Sequence, residues 1–130
     1  MRNGNASVTL TVDENGVALV RISAQVIVNI LDTIIMRKVR DYINTHDKPL
    51  VVLDLSGVRY LDSFSFTSII KVRNQVRDKE GELALSGPND DVLYLFELTD
   101  FLKAVPIYMT PEQAIKALAA GNQAGRIMNY

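Results

Sequence analysis

A chain of 130 residues with 48% hydrophobic and 22% charged residues has the make-up of one ordinary globular domain, long enough to bury a core without disulfides or metal. A net charge of -1 gives no electrostatic case for nucleic acid or an anionic membrane surface, and the absence of cysteine removes disulfide and thiol chemistry. The opening MRNGNASVTL has no apolar core suited to a signal peptide, and no apolar run approaches a bilayer span, so a cytoplasmic protein with no membrane insertion is expected.

Residues 7–12 alternate polar and apolar (Val8, Leu10, Val12), residues 17–22 are apolar and β-branched, and Asp13-Glu14-Asn15-Gly16 between them carries a turn signal. An N-terminal β-hairpin at a sheet edge is expected. Over 28–43, Val28, Leu31, Ile35, Val39, Tyr42 and Ile43 follow helical spacing and predict a first helix ending before Pro49. Val51, Val52, Leu53 and Leu55 then predict a strand covered on both faces, which Ser56 and Gly57 should break. Strand, helix and strand in this order imply a right-handed crossover, placing the Val51 strand parallel to the Val17 strand.

After a second apolar island (Val58, Tyr60, Leu61), Phe66, Ile69, Ile70 and Val76 recur at helical spacing and predict a second helix starting near Asp62. Lys79-Glu80-Gly81 should stop it, Leu83 and Leu85 mark a strand ending at Gly87-Pro88, and Asn89 or Asp90 caps a short helix with Val92, Leu95 and Phe96 inward. A last strand is expected over 105–108. Thr110-Pro111-Glu112-Gln113 combines a cap, proline at the first helical position and a glutamine three on, which predicts a helix through Leu118. The domain is thus expected over 1–120, with 121–130 a frayed tail.

Asp62, Ser63, Ser65, Thr67 and Ser68 crowd one helix entrance, with Phe64 and Phe66 between them. Small oxygen-bearing side chains at a helix start are first of all caps for its unpaired N–H groups. That explains one such residue, whereas the whole set is a candidate partner surface: Asp62, Ser63, Phe64, Ser65, Thr67 and Ser68, with hydroxyls for a kinase and an apolar ring for docking. Phe66 belongs to the core pattern, which leaves Phe64 to the outside. His46 has no second histidine or cysteine to share a metal, and Asp54 inside an apolar strand reads as a buried hydrogen-bonding residue. Residues 86–89 (Ser-Gly-Pro-Asn) suit a phosphate or, equally, a capped turn. No catalytic constellation is present, so no enzyme, metal or cofactor is expected.

The order ββαβαβαβα predicts an α/β fold with a mixed, mostly parallel sheet of about five strands and about four helices. Together with Leu53-Asp54-Leu55-Ser56-Gly57-Val58, Leu61-Asp62-Ser63 and VLYLFELTDF (92–101), it resembles the STAS family, the bacterial anti-sigma factor antagonists and their relatives, over residues 7–119. The resemblance implies a SpoIIAA-like, non-enzymatic switch that binds a serine/threonine kinase acting as an anti-sigma factor. It further implies a PP2C-type phosphatase as second partner and leaves homodimerisation open. Phosphorylation at the start of the second helix would release the kinase.

The pattern departs from the family at two points. The usual antagonists read Asp-Ser-Ser-Gly and are phosphorylated on the second serine, where this chain has Phe64, with Ser65 at the glycine. Stressosome scaffold proteins, a branch of the family, instead read Asp-Ser-Phe and are phosphorylated directly after the aspartate, which makes Ser63 the first candidate and Ser65 the second. The acidic residue expected soon after the second strand is replaced by Ser23-Ala24-Gln25. A non-phosphorylated adaptor of the same fold, such as the STAS subunit of a phospholipid-transport ABC system, is the alternative.

Overall fold

In a computed structural model, which describes residues 7–27, 36–99 and 105–121, the hairpin forms between β1 (Ser7–Val12) and β2 (Val17–Ile27). Asp13 builds its turn, with Oδ1 accepting from the backbone N–H groups of Asn15 and Val17 at 2.9 and 3.0 Å. Gly16 completes it at a φ of +80°, where a Cβ would be strained. β1 is antiparallel to β2, and β3 (Leu50–Leu61), β4 (Glu82–Ser86) and β5 (Ile107–Tyr108) follow as parallel neighbours in sequence order. The helices are α1 (Met36–Asn44), α2 (Ser63–Asp78), α3 (Asp90–Glu97) and α4 (Pro111–Ala119). The expected parallel pairing is present, with Val17 opposite Leu50 and Ala18 opposite Val51.

Strand residues alternate between two apolar layers, as the two-residue pleat requires. Ala18, Val20, Leu53, Leu55, Leu83 and Leu85 pack with Val39, Ile69, Val72 and Phe96 from α1, α2 and α3. The intervening Val17, Val52 and Ala84 pack with Ala114 and Leu118 of α4. Helices on both faces explain why Val51, Val52, Leu53 and Leu55 form an apolar run rather than an alternating strand. The Thr110–Gln113 capping box forms at α4 as its sequence predicts.

Tyr42 joins the two ends of this arrangement. Its hydroxyl donates to the Gly16 carbonyl at 2.6 Å and accepts from the Leu50 N–H at 3.1 Å, which ties α1 to the hairpin turn and to the start of β3. Burial pushes the phenol above its ordinary value of 10.0, with the Asp13 carboxylate adding to the rise and the Leu50 backbone bond opposing it. His46 closes the end of α1, stacking on Tyr42 at 4.1 Å with Nδ1 2.8 Å from the Tyr42 carbonyl.

Several expectations change. β3 does not break at Ser56-Gly57: between Arg21 opposite Asp54 and Ser23 opposite Gly57 it carries one extra residue, and this bulge absorbs the break. β2 runs on to Ile27, so Ser23, Ala24 and Gln25 lie within the strand, opposite β3, not in the segment after it. The last strand is confined to Ile107–Tyr108. Of the helix expected over 28–43, residues 28–35 lie outside those described, as does the tail from 122 on.

Candidate functional site

β3 delivers the chain directly into α2. Asp62 is the N-cap, with extended backbone and Oδ1 accepting from the Ser65 N–H at 2.8 Å, while its carbonyl receives the Phe66 N–H at 2.9 Å. Ser63 is the first helical residue and its side chain is exposed. Thr67 is exposed one turn on and donates its hydroxyl to the Ser63 carbonyl at 2.9 Å. The hydroxyl-rich surface expected at this entrance is smaller than its sequence implies, because Ser65 and Ser68 are only 1% and 2% exposed. They lie on the helix face of Ile69, Val72 and Val76, and counting back from those residues by three and four identifies them as inward. Phe66 turns to the core and meets the Phe96 ring of α3 at 5.3 Å. Phe64 stands in the first turn, and the outward placement expected for its side chain lies outside what is described.

Two polar clusters support the strand beneath this entrance. Asp54, 5% exposed, accepts through Oδ1 from the Ser56 N–H and the Ser86 hydroxyl at 3.2 and 3.1 Å, and through Oδ2 from the Ser56 hydroxyl at 3.2 Å. The Arg21 guanidinium approaches Oδ2 to 3.7 Å. One carboxylate therefore ties β2, β3 and β4 together where the bulge lies. Gly87, at a φ of +66°, passes so close to Ser56 that an added Cβ would lie 2.9 Å from the serine Cβ. The second cluster is the Asn89 side chain at the start of α3, whose Nδ2 donates to the Val58 and Arg59 carbonyls at 3.3 and 3.2 Å. Residues 86–89 thus form a capped turn, and Asp90 and Asp91 in the first turn of α3 make it a poor phosphate cradle.

Sequence reasoning missed the surface beside Leu61. Beyond Asp54, β3 has lost β4 as a neighbour, and α3 lies along it across a groove of about 390 Å³ lined by Arg59, Tyr60, Leu61, Tyr94 and Leu98 among others. Tyr60, Tyr94 and Leu98 are 56%, 61% and 63% exposed. The helical phase of α3 did carry a signal, since Val92 and Phe96 point inward and leave Tyr94 and Leu98 on another face. Among the described residues no cluster of His, Asp or Glu could hold a metal, and no helix is long and apolar enough to cross a membrane.

The match to known proteins follows this architecture. A family model described as the STAS domain matches residues 10–114. BtrV of Bordetella bronchiseptica, named as an anti-sigma factor antagonist, is 34% identical over 67 residues, which are 52% of this chain and 58% of BtrV, so the chain spans little more than half the length of that relative. Among solved structures, the TM1081 protein of Thermotoga maritima, also named as an anti-sigma factor antagonist, is 26% identical with a TM-score of 0.69, covering 85% of this chain and 93% of that one. SpoIIAA in its unphosphorylated form shares the fold at 14% identity and a TM-score of 0.74, over 88% of this chain and 97% of its own. With the STAS model matched over residues 10–114 and the fold shared with these structures, the chain belongs to the STAS domain family.

Proposed function

We propose that this STAS domain is an anti-sigma factor antagonist that works by partner switching: it binds a serine/threonine kinase acting as an anti-sigma factor and lets go when Ser63 is phosphorylated. The observation that carries the reading is the exposure of Ser63 at the first position of α2, beside a capping Asp62, while Ser65 and Ser68 are buried. Ser63 is thereby a hydroxyl a kinase can reach at this entrance without opening the helix, the exposed Thr67 hydroxyl being engaged with the Ser63 carbonyl, and Ser65 stays the second candidate. The names of BtrV, TM1081 and SpoIIAA support the choice of partner, and SpoIIAA has been solved in a phosphorylated form as well.

The physics of the switch is local. A phosphate on Ser63 adds about -1.5 to -2 charges where the free N–H groups and dipole of α2 favour an anion, so the fold survives. The bound partner is affected differently, because its surface must desolvate a dianion next to the Asp62 carboxylate. Burial with like-charge repulsion costs several kcal/mol, on the order of a hundredfold or more in affinity. The domain itself acts as a binding module and performs no chemistry.

The test uses the kinase captured by the wild-type protein. Calorimetry should show Ser63→Ala binding it like wild type and Ser63→Asp losing it, and mass spectrometry after incubation with ATP should place phosphate on Ser63. Equal binding by both variants, with no phosphate on Ser63 or Ser65, replaces the switch with a constitutive adaptor, for which an ABC ATPase among the captured proteins is the signature.

A further inference from the structure

β3 ends at Leu61 and Asp62 and Ser63 follow at once, so whatever holds the last residues of that strand also sets where Ser63 stands. On one side the strand pairs with β2 as far as Ile27 opposite Leu61. On the other, β4 stops opposite Asp54, and beyond that point the Asn89 side chain takes over, its Nδ2 donating to the Val58 and Arg59 carbonyls at 3.3 and 3.2 Å. The same side chain caps α3, with Oδ1 accepting from the Val92 N–H at 2.8 Å. Asp or Ser would cap as well as Asn. What asparagine adds is an NH₂ group with two donors, on the same short side chain as the capping acceptor.

We propose that Asn89 is a positioning residue for the switch: it fastens the outer half of β3 to the first turn of α3 and thereby fixes where Ser63 is presented. The inference rests on the phosphoswitch reading above. A cap alone would secure α3 and leave the carbonyls of Val58 and Arg59 without this donor. With the amide in place, the strand half that has lost β4 is held from both sides, and the residue four positions beyond Arg59 is delivered in one place. Leu61, 4% exposed, is the apolar counterpart of the same hold.

Two variants separate the cap from the strut. Asn89→Asp keeps the capping acceptor at a helix start that favours a carboxylate, but removes both donors and turns an anion toward two carbonyl oxygens. Asn89→Ala removes cap and strut together. In the free protein, hydrogen exchange of the amides over 58–63 should rise about three- to tenfold in Asn89→Asp while α3 keeps wild-type protection, and should rise in both regions in Asn89→Ala. With the kinase captured by the wild-type protein and ATP, kcat for phosphate transfer to Ser63 should fall by a similar factor in Asn89→Asp with KM little changed, since docking elsewhere is intact. Wild-type exchange over 58–63 in Asn89→Asp overturns the proposal, and so does faster exchange with an unchanged kcat. A wild-type Ser63 that takes no phosphate overturns the switch reading itself and the proposal with it.

Discussion

The two halves of β3 are one strand with opposite duties. From Leu50 to Asp54 it pairs on both sides, with β2 and β4, and Val51 to Leu55 are almost wholly buried between helices on both faces. From Ser56 to Leu61 it keeps only β2 as a strand neighbour, exposes Ser56, Gly57, Arg59 and Tyr60, and runs into the exposed Ser63. The Asp54 carboxylate sits at the border, bonding Ser56 on one side and Ser86 on the other. The inner half buys stability with dry apolar burial; the outer half gives up burial to project a helix start beyond the sheet. Substitutions should therefore sort by half: the inner ones should change the melting temperature and the outer ones should change binding.

The largest effect should come from the helix face packed on the inner half. Ile69 is 1% exposed within the larger apolar cluster. Ile69→Asp places an unpaired charge there at a cost of about 3–5 kcal/mol or more, a large share of the roughly 5–15 kcal/mol that stabilises a domain. The variant should be unfolded or melt on the order of 10–20 °C lower in a calorimetric scan. An unchanged melting temperature would mean that α2 does not present this face to the sheet.

How much of this was legible in the chain divides along the same line. Elements with a local signal were readable one by one: the Asn15-Gly16 turn, the apolar run at Val51, the Thr110-Pro111-Gln113 helix start. The continuation of β3 through Ser56-Gly57 was not, because a bulge exists only relative to the register of β2. The burial of Ser65 and Ser68 was legible and overlooked: the phase set by Ile69 and Val72 already placed them inward, but small hydroxyl residues at a helix start invite a capping or surface reading. Of the groove beside Leu61, the phase of α3 gave only the outward face of Tyr94 and Leu98; the groove itself arises from α3 lying along the half of β3 that β4 has left.

A middle-sized effect with a pH signature is expected where the inner half begins. Tyr42→Phe leaves the Gly16 carbonyl and Leu50 N–H without their phenol partner, at a cost of about 1–3 kcal/mol. The folded phenol titrates above its ordinary 10.0, chiefly through burial. The folded state therefore holds the proton more tightly than the unfolded chain, so the stabilisation is full below about pH 10 and is lost as pH rises through the folded value. Urea unfolding between pH 8 and 11 should show wild type losing more stability toward base than Tyr42→Phe. Burial also raises Tyr108, so a smaller alkaline loss should persist in the variant. Parallel curves for the two proteins would show that Tyr42 titrates normally.

The smallest effect on stability, and the sharpest test of the division, belongs to Tyr60. It lies in the outer half of β3, 56% exposed on the rim of the groove formed with Tyr94 and Leu98, three residues before Ser63. Tyr60→Ala removes little buried surface, and the melting free energy should stay within about 0.5 kcal/mol of wild type. A partner seated on the start of α2 reaches this ring next, and an exposed tyrosine offers large contact area at low entropic cost, so affinity for the captured kinase should fall roughly three- to thirtyfold in calorimetry. Because Tyr60 carries no charge and Ser63 keeps its hydroxyl, the loss should appear in the unphosphorylated protein. A variant that binds like wild type confines the partner's footprint to α2, and one that melts markedly lower shows that the outer half of β3 belongs to the core after all.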